Sequence, residues 1–290
     1  IYVISKSPAV SITPIATTGD VISGTIVRGI PDGMGAYSNG KGGFTLLSVH
    51  EVSTTDKLSA LSASTEKNWG TSITKFNYSP SAKTITSAEN LIKEIQYWNY
   101  KTGQYQDTPI GGEPGGQAAG TFGWGISRFC SATYSPAGTF IYNGIGYEGA
   151  LFTTGEEVGD SSRGFAFDMN GNGINLPRMG LASWENLMPN LKPGKNTVVM
   201  GNEDGSATDS QLFMYVGTKT TEGTFADKAG LTNGDVHVMT IADVANDNAF
   251  RAKYGKNKAV DVTFTKTIWD ADMKTQQVDH AAKGTEMSRV

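Results

Sequence analysis

The sequence contains a single cysteine, Cys130, so no intramolecular disulfide can form and cysteine usage leaves the redox compartment undecided. Histidine is nearly as scarce. His50, His237 and His280 show neither H-x-H nor H-E-x-x-H spacing, which disfavours the common zinc hydrolases. No G-x-S-x-G elbow or phosphate-binding P-loop occurs, and serine-hydrolase, NTPase and Rossmann readings lack support. Lys and Arg are scattered and the net charge is -4, so there is no electrostatic footprint for nucleic acid or an anionic membrane. No apolar run approaches the roughly 18 residues of a membrane-spanning helix. The chain begins at Ile1-Tyr2-Val3-Ile4 without a basic leader, so an exported protein is expected to have shed its signal already.

What is abundant is turn chemistry. With 36 glycines and many Thr, Ser and Asn, the 290 residues fit short strands joined by tight turns in one large all-β domain spanning 1–290. Apolar runs at Phe44–Val49, Thr139–Tyr142, Ala150–Thr154, Thr197–Met200, Gln211–Val216 and Val236–Met239 read as strands, many with both faces apolar, as in stacked sheets. Asn39-Gly40, Asn143-Gly144, Asn170-Gly171, Asn172-Gly173 and Asn233-Gly234 are hairpin pairs. A propeller or sandwich follows. Short helical insertions are predicted at Ser87–Ile95 and Ile241–Tyr254, and residues 103–125 form a Gly/Pro-rich loop insertion. Asp168-Met169-Asn170-Gly171-Asn172-Gly173 opens like a calcium loop, but Met179 stands where the closing Glu belongs, so a tight turn is predicted there.

Acids and the thiol recur just after apolar strand-like runs: Glu51, Cys130, Glu156-Glu157, Glu185 and Glu203-Asp204. Strand ends are where propellers present side chains to a shared cavity. Any one of these acids alone reads as a solvated strand end, and a lone Cys as a small buried hydrophobe. Together they point to cations, because converging carboxylates repel one another unless positive charge separates them. Carboxylates suit Ca²⁺, Mg²⁺ or Fe³⁺, and a thiolate adds a softer donor for a transition ion.

Taken in order, Gly29-Ile30-Pro31-Asp32-Gly33-Met34-Gly35-Ala36, Val49-His50-Glu51, Phe129-Cys130-Ser131, Gly155-Glu156-Glu157, Ser183-Trp184-Glu185-Asn186, Asn202-Glu203-Asp204 and Met214-Tyr215-Val216-Gly217 resemble the site blocks of PhoX-type bacterial alkaline phosphatases. The likeness spans residues 29 to 290 and lies more in the order of sites than in identical words. It implies a six-bladed β-propeller with iron and calcium on its axis, acting on phosphate monoesters outside the cytoplasm, secreted or periplasmic. By resemblance Glu51, Cys130 and Glu185 would be iron ligands, Asp204 would help hold calcium, and either Glu156 or Glu157 would face the metals. Arg289-Val290 resembles the start of the family's R-P-E block, which makes Arg289 a candidate phosphate-binding residue and suggests a propeller completed by a further C-terminal segment or a neighbouring chain. Departures are Val158, Trp184 and Gly205, where the family tends to carry Asn, His and Arg. They keep open a calcium-binding propeller with little turnover, acting as a binding or surface-structural protein.

Overall fold

The computed structural model describes residues 4–52, 71–99, 102–107, 126–159, 162–192, 194–205 and 210–266. After a short hairpin of β1 (Val21–Ile22) and β2 (Thr25–Ile26), the chain lays down β3 (Pro31–Ser38), β4 (Phe44–His50), β5 (Ile73–Ser79) and β6 (Thr84–Asn90) as a four-stranded antiparallel meander. The second sheet combines β7 (Glu94–Asn99) and β8 (Gln104–Gln106) with β9 (Phe129–Ser135), β12 (Leu151–Glu156), β13 (Gly164–Asp168) and β14 (Asn172–Asn175), in the order β8-β7-β14-β13-β12-β9. Between β9 and β12 runs a small hairpin, β10 (Ile141–Tyr142) and β11 (Ile145–Gly146). The third sheet is again a meander, β15 (Trp184–Pro189), β16 (Asn196–Glu203), β17 (Leu212–Thr218), β18 (Asp235–Thr240) and β19 (Thr263–Lys266).

The sheets stack face to face, as their two-sided apolar strands require. Leu47, Val49 and Ile73 of the first sheet pack against Phe129, Phe152, Phe165 and Phe167 of the second. Leu151, Ala166 and Ile174 of the second meet Trp184, Leu187, Val199 and Phe213 of the third. Each fully buried Phe or Leu contributes about 1.5–3 kcal/mol. The starting strands β3, β9 and β15 lie side by side, with β9 in the middle. This is the blade arrangement of a propeller: an all-β, propeller-like fold in which no described sheet closes on itself.

Two close approaches depend on glycine. A Cβ on Gly33 of β3 would stand 2.0 Å from the Ala132 backbone nitrogen of β9, and one on Gly155 of β12 would stand 2.3 Å from Cβ of Trp184. The sheets meet there more closely than side chains allow.

Of the expected hairpin pairs, Asn39-Gly40, Asn143-Gly144 and Asn170-Gly171 lie in turns between paired strands, whereas Asn172-Gly173 opens β14, where Gly173 pairs with Phe167, and Asn233-Gly234 leads into β18. Asp168 Oδ1 accepts from the backbone N–H of Asn170 and of Asn172, both at 2.9 Å, and Oδ2 accepts from Asn172 Nδ2 at 2.7 Å, so this carboxylate ties its own loop. Ser87–Ile95 is not helical. It is divided between β6 and β7, because Ile85 and Ala88 are buried while β6 pairs with β5, and the Ser87 hydroxyl accepts from Asn77 Nδ2 across that pair. The second predicted helix is confined to α2 (Asp247–Tyr254), whose start is set by Asn246 accepting from the Ala249 N–H, while α1 (Phe225–Lys228) is a single capped turn. The Gly/Pro-rich segment is not loop throughout, since β8 pairs with β7 at its start; residues 108–125 lie outside the described ones. Gly144-Ile145-Gly146-Tyr147-Glu148-Gly149 spells G-x-G-x-x-G, but it begins in the β10–β11 turn and no helix follows it. Among the described residues no helix is long and apolar enough to cross a membrane.

Candidate metal centre

Where β3, β9 and β15 run together, each delivers one donor: Asp32, Cys130 and Glu185. Glu51 and Glu157 arrive from the residues just beyond β4 and β12. Register shifts lie beside three of these positions, between Pro31 and Met34 on β3, Thr154 and Glu156 on β12, and Trp184 and Asn186 on β15. A bulge re-aims a side chain that regular alternation would send to the other face. Three of them turn Asp32, Glu157 and Glu185 toward Cys130.

The Cys130 Sγ donates to Glu185 Oε2 at 3.0 Å and to Asp32 Oδ2 at 3.3 Å. It belongs to two triads of ligand atoms, Asp32–Glu51–Cys130 and Cys130–Glu157–Glu185, each within 4.8 Å of one another. Burial, reinforced by the hydrogen bonds to Glu185 and Asp32, pushes its thiol far above the usual range. Glu157 is pushed up to about 7 by burial and by its hydrogen bond with the Asp204 carboxyl, against the pull of Arg128. Burial and the neighbouring Asp32 carboxyl also raise Glu51. Upward shifts of neighbouring acids mark burial and more negative charge than the positive charge beside them balances.

Positive charge comes from Arg128, two residues before Cys130. Its Nη2 pairs with Glu157 Oε2 at 2.8 Å, and Nη1 lies 3.8 Å from Glu51 Oε2. Among the described residues, four carboxylates and one thiol thus converge beside one guanidinium that only partly balances them. The donor set fits cations of two kinds: the sulfur with carboxylates suits a transition ion, and carboxylate oxygens alone suit calcium.

Of the residues singled out in the sequence, Glu51, Cys130, Glu157 and Glu185 are brought together, and Asp204 joins them through Glu157. Glu156 is turned away and excluded from this group. Its carboxylate is fully buried and occupied, Oε1 by the Ser127 N–H at 2.7 Å and Arg163 Nη2 at 2.9 Å, Oε2 by the Arg163 backbone N–H at 3.1 Å and Nε at 2.9 Å. Between the paired acids it is therefore Glu157 that faces Cys130. His50 faces the core, with Nε2 2.8 Å from the Thr74 hydroxyl, and burial lowers its pKa to about 4. Arg289 lies outside the described residues. Two members went unread in the sequence. Asp32 stands in one of the resembling blocks without a role, although the following Gly33 marks its bulge, and Arg128 reads as one of the scattered charges although it lies two residues before Cys130, just ahead of β9.

No protein-family model matches the chain, and no curated protein matches it. Among solved structures, Pseudomonas fluorescens PhoX in complex with vanadate, a transition state analogue, aligns with a TM-score of 0.44 at 10% identity. The alignment covers 72% of this chain and 45% of that one, so the chain spans less than half the length of PhoX.

Proposed function

We propose that this chain holds a cation cluster with which it hydrolyses phosphate monoesters of small molecules outside the cytoplasm, secreted or periplasmic. The observation that carries the reading is the pair of acid-and-thiol triads sharing Cys130 at the meeting of three sheets. Iron fits the thiol-containing triads, and calcium fits the oxygen-rich side formed by Glu157 and Asp204. Bound cations supply neutralisation of the phosphoryl oxygens and of the charge that develops on them.

The protein's own groups prepare that role. Burial and the neighbouring carboxyls raise Glu51 and Glu157, so both would give up protons more readily with a cation bound, as would the Cys130 thiol that lies against Glu185 and Asp32. The close β3–β9 contact keeps Asp32 and Cys130 in fixed register, so little reorganisation is needed on loading.

Elemental analysis of the purified protein, with phosphate release from p-nitrophenyl phosphate before and after chelation, tests the reading. Iron and calcium together with chelator-sensitive turnover are expected; a loaded protein that releases no phosphate from a panel of monoesters would falsify it. A calcium-binding propeller with little turnover is the second reading, favoured by Trp184. Where the family carries His, this indole is buried against Gly155 and Gly201 as a core residue and offers the site no ligand. Calcium without iron would support it.

A further inference from the structure

Arg128 is built into the centre in a way that a plain counter-ion does not require. Its Nε and Nη2 donate to the backbone carbonyl of Glu157 at 3.1 and 2.7 Å, and its own carbonyl accepts from the Glu157 N–H at 2.9 Å. The first two bonds hold the guanidinium through a peptide carbonyl and the third ties the two backbones together, so none of them depends on the charge of the carboxylates. The two acids it reaches, Glu51 and Glu157, belong to different triads, so the guanidinium bridges both halves of the cluster. Its side chain is 38% exposed, whereas those of Glu157 and Glu51 are 9% and 22% exposed. Arg128 therefore stands at the mouth, between the acids and solvent.

Cations drawn into the triads compete with the guanidinium for the Glu51 and Glu157 oxygens. The backbone anchor then keeps Arg128 in place while Nη1, which lies 3.8 Å from Glu51 and beyond hydrogen-bond length, becomes available to another anion. A planar guanidinium fixed beside neutralised carboxylates matches the oxygens of a phosphoryl group. We propose that Arg128 is a phosphate-positioning residue, contacting the phosphoryl oxygens of the substrate once the centre is loaded. The inference rests on the phosphomonoesterase reading and adds a residue to it.

The test compares metal-loaded wild type, Arg128→Gln and Arg128→Lys in three measurements: metal content, inhibition constant for inorganic phosphate, and KM and kcat with p-nitrophenyl phosphate. Arg128→Gln is expected to keep its metals and to weaken phosphate binding by about tenfold or more, the scale of one charge-assisted hydrogen bond. KM should rise more than kcat falls, with partial recovery in Arg128→Lys. Unchanged phosphate inhibition with unchanged metal content would overturn the proposal and leave Arg128 a counter-ion. Loss of metal in Arg128→Gln would also overturn it, by showing that the residue holds the cluster rather than the substrate. A loaded wild type that binds no phosphate would overturn the phosphomonoesterase reading along with it.

Discussion

Replacing Gly33 with alanine tests whether the cluster depends on the close approach of β3 to β9. A Cβ at this position would stand 2.0 Å from the Ala132 nitrogen and 2.4 Å from the Ser131 carbonyl carbon, both backbone atoms that no rotamer change can move. Ordinary contact begins near 3.4 Å, so the strands must part by about 1.4 Å (3.4 less 2.0). Asp32 is the adjacent residue, and the same displacement carries its Oδ2 from 3.3 Å to about 4.7 Å from Cys130 Sγ. Two metal–ligand bonds of about 2.3 Å reach about 4.6 Å end to end, and only with the donors on opposite sides of the ion. Coordination shared with Glu51 is then strained to the limit of that reach. Gly33→Ala should weaken cation binding at least tenfold and lower stability by about 1–3 kcal/mol. Gly194→Ala, whose added Cβ would meet nothing within 4 Å, should do neither. Chelator competition reads the affinity and urea unfolding reads the stability. A Gly33→Ala protein that folds and binds cations within twofold of wild type would refute the argument.

The paired acids should respond in opposite ways. Glu156→Gln removes the buried carboxylate with which Arg163 pairs and should cost about 3–5 kcal/mol in urea unfolding, with metal content per folded molecule retained. Glu157→Gln should raise the stability of the metal-free protein, because it removes one of the crowded charges, and should lose metal; a metal-free protein less stable than wild type would contradict this. Burial raises the folded-state pKa of Tyr215 and Tyr97, so folding favours their neutral forms. The stability they contribute is present in full below the unfolded value near 10 and is lost as pH rises above it, and Tyr215→Phe should make the alkaline limb of the unfolding curve shallower. Trp184→His, which restores the residue of the resembled family, should lower the melting temperature and cost about 3 kcal/mol, since the smaller ring leaves a cavity against Gly155 and Gly201.

The fold class was legible because its signals are local. The Asn-Gly pairs at 39–40, 143–144 and 170–171 lie in turns between paired strands, and runs such as Phe44–Val49 lie in strands of the structure. Ser87–Ile95 misled because its helix-like composition is overruled by pairing with β5, a partner the segment itself does not reveal. In the centre, Glu51 stands just after β4 as its position behind an apolar run suggests, whereas Cys130 and Glu185 are the second residues of β9 and β15 and so open their strands rather than follow them. Which of Glu156 and Glu157 faces Cys130 was not legible, because the register shift between Thr154 and Glu156 breaks the alternation that parity arguments use. Asp32 escaped for the same reason: its aim is set beside a bulge, and a bulge is specified by the neighbouring strand as much as by its own residues.

The two hydrogen bonds of the Cys130 thiol span 98 residues of chain to Asp32 and 55 to Glu185. Each partner is carried by a different sheet, so no sheet folded by itself contains a triad. A cation held by either triad would therefore be captured late, only after the sheets have docked. Such an ion would fasten one sheet to another rather than act within a sheet. Its binding free energy would add to the docking of layers already in contact through their apolar faces, by an amount set by how far the free metal concentration exceeds the dissociation constant. On the proposed reading, metal supply would then govern how firmly the sheets hold together.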